Sequence, residues 1–206
     1  MIKFSKTAKM RVTGEKVLSY SIPAGGKYCP AAKDSAVCDG CYAQKGRYRF
    51  SNVQKPRLIN YDDHQKDDWV GRMVAALRKE KVTYLRLHDS GDLYSKAYAE
   101  KWLEVLTQVP DIRVWIPTRM TKIRSMRPTL HALQALPNVQ VRHSNDDLGI
   151  TKSRADVDTF VINRSEVQAA QQKGIHICPV GFEEGRRACN ECTACYSAGD
   201  VAYLIH

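Results

Sequence analysis

Apolar positions along this chain alternate between two periods, and the switches mark element boundaries. Trp69, Met73, Ala76 and Leu77 recur at three- and four-residue spacing, which predicts a helix. The next segment, Val82 to His88, is rich in strand formers and closes on Asp89-Ser90-Gly91-Asp92, so it reads as a strand ending in a turn. Tyr98, Trp102, Val105, Leu106 and Val109 mark a second helix stopped by Pro110. A strand follows from Ile112 to Pro117, ending at Thr118-Arg119. A helix is expected over Met126 to Leu136, and a strand over Val139 to His143, ending in Ser144-Asn145-Asp146-Asp147. A further strand fits Thr159 to Asn163, a weaker helix Ser165 to Gln172 with Gly174 as its stop, and a last strand Ile175 to Cys178. Leu18 to Ile22 supplies the first strand.

Strands that alternate with helices must return to the same end of a sheet, so the pattern predicts an α/β fold with a parallel sheet of six βα units, as a partial barrel or an open wound sheet. Polar and cysteine-bearing segments follow each strand, the place where parallel folds carry their sites. Pro23 to Tyr61 lacks sustained periodicity and reads as a long functional loop with a short helix. At 206 residues the chain fits one domain: residues 1–178 form the βα body, and residues 179–206 a cysteine-rich C-terminal extension packed on it.

Composition narrows the function classes. With 43% hydrophobic and 26% charged residues the chain is globular, and no apolar run approaches the roughly 20 residues of a membrane helix. The start, MIKFSKTAKMRV, carries basic residues but no apolar core of a secretory signal, so a cytoplasmic location is expected. Thiols stay reduced there, and seven cysteines in two groups argue for metal ligation over a disulfide framework. The net charge of +10 suggests a polyanionic partner.

Cys29, Cys38 and Cys41 are spaced C-x8-C-x2-C. Three thiolates can hold three irons of a [4Fe–4S] cube and leave the fourth open to a small molecule; zinc, completed by His88 or Asp39, is the alternative. Cys178, Cys189, Cys192 and Cys195 read C-P-x9-C-x2-C-x2-C, like a ferredoxin arrangement with one remote ligand, against a four-cysteine zinc site. Full ligation there would give an electron relay or a structural pin. Arg186 and Arg187 lie in the same loop, where they could screen cluster charge or contact phosphate.

The stretches CDGCYAQKGRYRFSNVQ, LRLHDSGDLYS and VWIPTRM and the C-terminal CNECTAC together resemble the phage "gene product 88" family, from about Ser19 to Cys195. More distantly, the order cysteine loop, SGD strand end, TR strand end is similar to the radical S-adenosylmethionine (SAM) superfamily, although the cysteine spacing departs from its usual C-x3-C-x2-C. That resemblance implies a six-stranded partial (β/α) barrel and an open [4Fe–4S] cluster at Cys29, Cys38 and Cys41 that uses SAM as cofactor for oxidoreductase-type radical chemistry on an unknown substrate; with the ferredoxin-like second group, two [4Fe–4S] clusters and an external electron donor are expected. It also implies that Ser90, Gly91 and Asp92 contact the SAM amino group, that Arg119 pairs with the methionine carboxylate, and that Ser144 and Asn145 reach the ribose. Each has a plainer alternative: Asp92 or Ser95 as a helix cap, Arg119 as a surface charge, Ser144 to Asp147 as a turn. His88 is expected at the same mouth, as a structural or a catalytic histidine.

Lys45, Arg47, Tyr48, Arg49, Phe50, Lys55 and Arg57 interleave charge with aromatics, as a nucleic-acid or nucleotide partner would require, or as aromatics shielding a cluster would show. Lys122, Arg124 and Arg127 add a second basic stretch. Two function classes follow: a minimal radical-SAM-like iron–sulfur enzyme, or a non-catalytic nucleic-acid-binding protein stabilised by zinc or inert clusters.

Overall fold

The computed structural model describes residues 1–6, 12–151 and 157–205. A mostly parallel eight-stranded sheet organises them: β1 (Phe4–Ser5), β2 (Val17–Tyr20), β3 (Tyr84–Leu87), β4 (Arg113–Thr118), β5 (Val139–Leu148), β6 (Asp158–Ile162), β7 (His176–Ile177) and β8 (Val201–Leu204). Their order is β1-β2-β3-β4-β5-β6-β8-β7, with only the β1 edge antiparallel. From β2 to β6 spatial order follows chain order, so this stretch has no reversal point of the kind that splits a doubly wound sheet.

Six strands were expected and eight are present among the described residues. The two additions are short: β1 is a two-residue edge, and β8 comes from the C-terminal segment and enters between β6 and β7. The expected last strand is correspondingly reduced to an outer edge. Neither had room for a periodic signal. Ser144 to Asp147 also departs from the expected turn, because β5 continues through them, with an irregular register between Ser144 and Leu148.

Helices cover one face. Leu85, Leu87, Val114, Ile116, Val139 and Val141 point into a core shared with α3 (Trp69–Lys79), α4 (Lys96–Thr107) and α5 (Arg127–Gln134), where Trp69, Met73, Tyr98, Trp102 and Leu133 are buried. Burying each such side chain contributes about 1.5–3 kcal/mol. A smaller core under α6 (Val167–Gln172) joins Phe160, Ile162, Ala170 and Leu204. Ser95 caps α4 by accepting from the Tyr98 amide at 3.3 Å, which settles the capping role in its favour over Asp92.

The region read as a loop holds short turns, α1 (Ala36–Asp39) and a 13-residue helix, α2 (Ser51–Asp63). The inner face of α2 is polar, with Arg57, Asn60 and Asp63 buried, while Leu58 and Ile59 are exposed. An inverted helix shows no apolar stripe, hence the misreading. Asn60 ties it down, donating to the carbonyls of Lys3 (2.8 Å) and Ser21 (2.9 Å). No helix among the described residues is long and apolar enough to cross a membrane.

Candidate functional site

Side chains alternate across a strand, so Tyr84, Arg86, Trp115, Gln140 and Arg142 take the face opposite the helices. Both cysteine groups are gathered at this face and its rim.

The first group leaves β2 and crosses the carboxyl ends of the neighbouring strands. Its path is pinned by backbone and side-chain bonds: the Ile22 amide donates to the Ser90 carbonyl (3.2 Å), the Asp92 amide to the Tyr28 carbonyl (3.1 Å), and Ser35 Oγ to the Asp146 carbonyl (3.2 Å). Gly91 sits at φ +83°, and a Cβ there would overlap Ile22 Cγ1 and lie 2.8 Å from the Pro23 carbonyl oxygen. Only glycine allows this loop to approach so closely. Burial pushes the Cys29 thiol up to about 12, and Asp92, Cys41 and Cys38 add to the effect, so the three thiols and Asp92 act as one electrostatic set. All seven cysteines are half-buried and free of disulfides.

The residues expected to contact SAM lie along this rim, where hydrogen bonds link Asp92, Arg119 and Asn145 in series. Ser90 Oγ donates to the Ile22 carbonyl at 3.0 Å. Asp92 accepts from the Leu93 amide (2.7 Å), Thr118 Oγ1 (2.6 Å) and the Arg119 amide (3.0 Å), latching β3 to β4; burial nonetheless raises its carboxyl. Arg119 donates to the Asn145 carbonyl (2.9 Å) and pairs with Asp146, as Lys122 does at 2.8 Å. Asn145 donates to Asp158 Oδ1 at 3.1 Å, and Ser144 is buried beside it. The rim is therefore pre-built: much of its polar capacity holds its own strands together.

His88 does not face this mouth as expected. It lies in the aromatic core of the helix side, with Nε2 2.7 Å from the Tyr98 hydroxyl. Burial, with His64 and Arg86, pushes it down to about 3, so it is neutral. Asp89 is instead the polar hub below the loop. Its carbonyl accepts from Tyr42 (2.7 Å), and its carboxylate accepts from Tyr48 (3.1 Å) and pairs with the buried Arg57 at 3.3 Å, whose guanidinium also lies 4.6 Å from the Tyr48 ring.

The second group covers the sheet's non-helical face itself. Arg142 is fully buried and donates to four carbonyls of the cysteine loop: Cys195 (3.0 Å), Ala194 (2.7 Å), Gly199 (2.5 Å) and Ser197. Tyr196 packs on Tyr84 and Trp115, with centroids at 4.8 and 6.1 Å, and Tyr203 stacks on Trp115. Burial pushes Cys178 up to about 12 and Cys189 to about 11, and each of these thiols also feels the other three cysteines or two of them. Cys195 Sγ lies 2.9 Å from the Tyr203 hydroxyl, and Cys192 Sγ 3.4 Å from His176 Nε2. Arg186 braces the loop, donating to the Ala188 and Cys189 carbonyls, while Arg187 is exposed.

Arg86 stands between the two groups. It donates to Tyr42 Oη at 3.2 Å, lies 4.6 Å from the Trp115 ring, and partly opposes the burial that raises the Cys189 and Cys195 thiols. Arg86, Arg142 and Tyr203 escaped the sequence reading; charged or phenolic side chains at inward strand positions were the available signal.

As placed, the described residues contain no group of three or more His, Cys, Asp or Glu side chains arranged to hold a metal ion. The donor chemistry still suits a cationic group: Cys29 and Cys178 are half-buried and raised by burial and by neighbouring thiols, so deprotonating either requires compensating positive charge.

A family model described as Gene product 88 matches residues 2–198. The chain is similar to the Gene 88 protein of Mycobacterium phage L5, 29% identical over 203 residues, which covers 86% of this chain and 82% of that protein. It is also similar to the Gene 88 protein of Mycobacterium phage D29, 29% identical over 183 residues, covering 82% and 68% respectively. No solved structure matches it.

Proposed function

The chain belongs to the gene product 88 family, and from its own residues we propose that it is an iron–sulfur enzyme of minimal radical-SAM type, with a sheet read as a partial (β/α) barrel. One observation carries this reading: three thiols, Cys29, Cys38 and Cys41, are delivered by one loop to the carboxyl ends of successive parallel strands, against a pre-built polar rim. Three ligands leave a cubane iron open, whereas the four thiols of the second group would close a cluster and serve structure or electron relay.

Cys29, Cys38 and Cys41 would hold the open cluster, and that group would supply one-electron reductive cleavage of SAM at its sulfonium, the electron coming from an external donor. The chain's own residues position and shield. Gly91 lets the cysteine loop lie close to the SGD turn, and the Asp92 latch holds β3 and β4 in register beneath it. Arg119 and Lys122 hold Asp146, fixing the far side of the rim, and Ser144 and the unused capacity of Asp92 and Arg119 are the groups left to orient an amino acid moiety. Arg86 places positive charge between the two thiol groups, where it would offset the negative charge of thiolates holding a cluster on either side.

Anaerobically purified protein incubated with SAM and a strong reductant tests the proposal. Formation of 5′-deoxyadenosine, abolished by Cys29→Ser, is expected. Intact iron with no 5′-deoxyadenosine, or a colourless protein holding zinc, would overturn it.

A further inference from the structure

Immediately after Cys41 the chain presents a surface whose chemistry the thiol site does not use. Residues 40–61 contain no Asp or Glu, and five Lys or Arg: Lys45, Arg47, Arg49, Lys55 and Arg57. Arg57 is consumed by Asp89 inside the protein, as Tyr48 is. The other four cations are exposed, and no ion pair among the described residues engages them. Among them stand two exposed rings, Tyr42 (54% exposed) and Phe50 (59%). The shielding alternative applies to Tyr48, which packs against Tyr42 with centroids 5.2 Å apart, but not to Phe50, which faces solvent.

Exposing a phenylalanine costs favourable burial, and a solvated charged face gains nothing from one. Cations about one residue apart, interleaved with open aromatic faces, match what a single strand offers: phosphates to neutralise and unpaired bases to stack. A duplex or an acidic peptide would use the cations but not the rings.

We propose that the face formed by Lys45, Arg47, Arg49, Phe50 and Lys55 binds single-stranded nucleic acid and delivers it to the rim beside Cys29, Cys38 and Cys41. Delivery to a reactive centre rests on the iron–sulfur reading; the binding does not. Tyr42 connects the two, its ring on this face and its hydroxyl bonded to the Asp89 carbonyl beneath the cysteine loop.

The test is fluorescence anisotropy of labelled single-stranded DNA and RNA oligonucleotides with the full chain, iron content and 5′-deoxyadenosine formation being measured on the same preparation. Four phosphate contacts predict that affinity falls about 50-fold between 50 and 200 mM salt. Lys45→Gln, Arg47→Gln, Arg49→Gln and Lys55→Gln together should flatten that slope, and Phe50→Ala should weaken binding about tenfold while leaving the slope unchanged. All five side chains are exposed, and circular dichroism is the check that the variants remain folded. Equal affinity for duplex with no effect of Phe50→Ala would overturn the proposal, as would displacement by an acidic peptide as readily as by an oligonucleotide. Binding without 5′-deoxyadenosine would sink the enzymatic reading alone, and 5′-deoxyadenosine without binding would sink this one.

Discussion

The two thiol groups lie on the same side of one sheet yet are held by different physics. The second is locked from within: a buried arginine satisfies four carbonyls of its loop, and Tyr84, Trp115, Tyr196 and Tyr203 wall it in. The first is held at its edges, by turns that clip it to strand ends and by a hub at Asp89, with exposed rings and cations beside it. On the proposed reading, four thiols in a rigid wall would suit a group that must stay put, and three thiols on an accessible rim one that must meet substrate. Their separation in sequence, Cys41 to Cys178, conceals a connection in space through Arg86.

Breaking the wall should have the largest effect. Arg142→Ala leaves buried carbonyls of the cysteine loop without a donor, each costing about 1–3 kcal/mol, so a loss of more than about 3 kcal/mol in urea unfolding is expected. Metal should be lost from the second group first. If stability instead changed by less than about 1 kcal/mol, the loop would not depend on this arginine.

An intermediate effect separates the edge-held group from the wall. Gly91→Ala forces a left-handed backbone on alanine and sets its Cβ against Ile22 and Pro23, costing about 2 kcal/mol. The expected outcome is impaired metal retention by Cys29, Cys38 and Cys41 with the second group intact. Equal loss at both groups, measured as iron per chain, would show that they are not independently held.

A third effect, which appears only below neutral pH, probes the helix side beneath both. His88 is neutral in the folded state down to about pH 3, whereas an unfolded histidine takes up a proton below about pH 6.5. The unfolded state therefore binds more protons between these values, and stability is lost as pH falls from about 6.5 toward 3, by up to about 1.4 kcal/mol per pH unit. His88→Gln should flatten that part of the urea-midpoint profile. An unchanged profile would place His88 in contact with water.

Much of the helical face was legible because its signal is periodic burial: α3 and α4 follow the stripes at Trp69 and Trp102, α5 lies within the expected Met126 to Leu136 helix, and β3 and β4 follow their strand-forming runs. What escaped was polar. α2 buries Arg57, Asn60 and Asp63, and β5 runs through Ser144 to Asp147, because partners distant in sequence satisfy those groups. Cysteine spacing suggested two metal-ligand sets, a reading that stays a proposal; which residues wall and connect the two thiol groups depends on strand register. Arg86 meets Trp115 across a β3–β4 pair, and Arg142 meets a loop more than fifty residues away. His88 misled for the same reason, since its position after β3 suggested the mouth while its side chain joins Tyr98 in the core.

The central claim is that the rim-held thiols carry an open cluster and the walled thiols a closed one. Iron per chain after anaerobic reconstitution, read together with the electron paramagnetic resonance spectrum before and after adding SAM, tests it most directly. Wild-type protein should hold about eight irons, and serine at Cys29, Cys38 and Cys41 should leave about four with a spectrum indifferent to SAM. Serine at Cys178, Cys189, Cys192 and Cys195 should leave about four whose spectrum SAM perturbs. A spectrum that still responds to SAM after the first three thiols are removed would contradict the account.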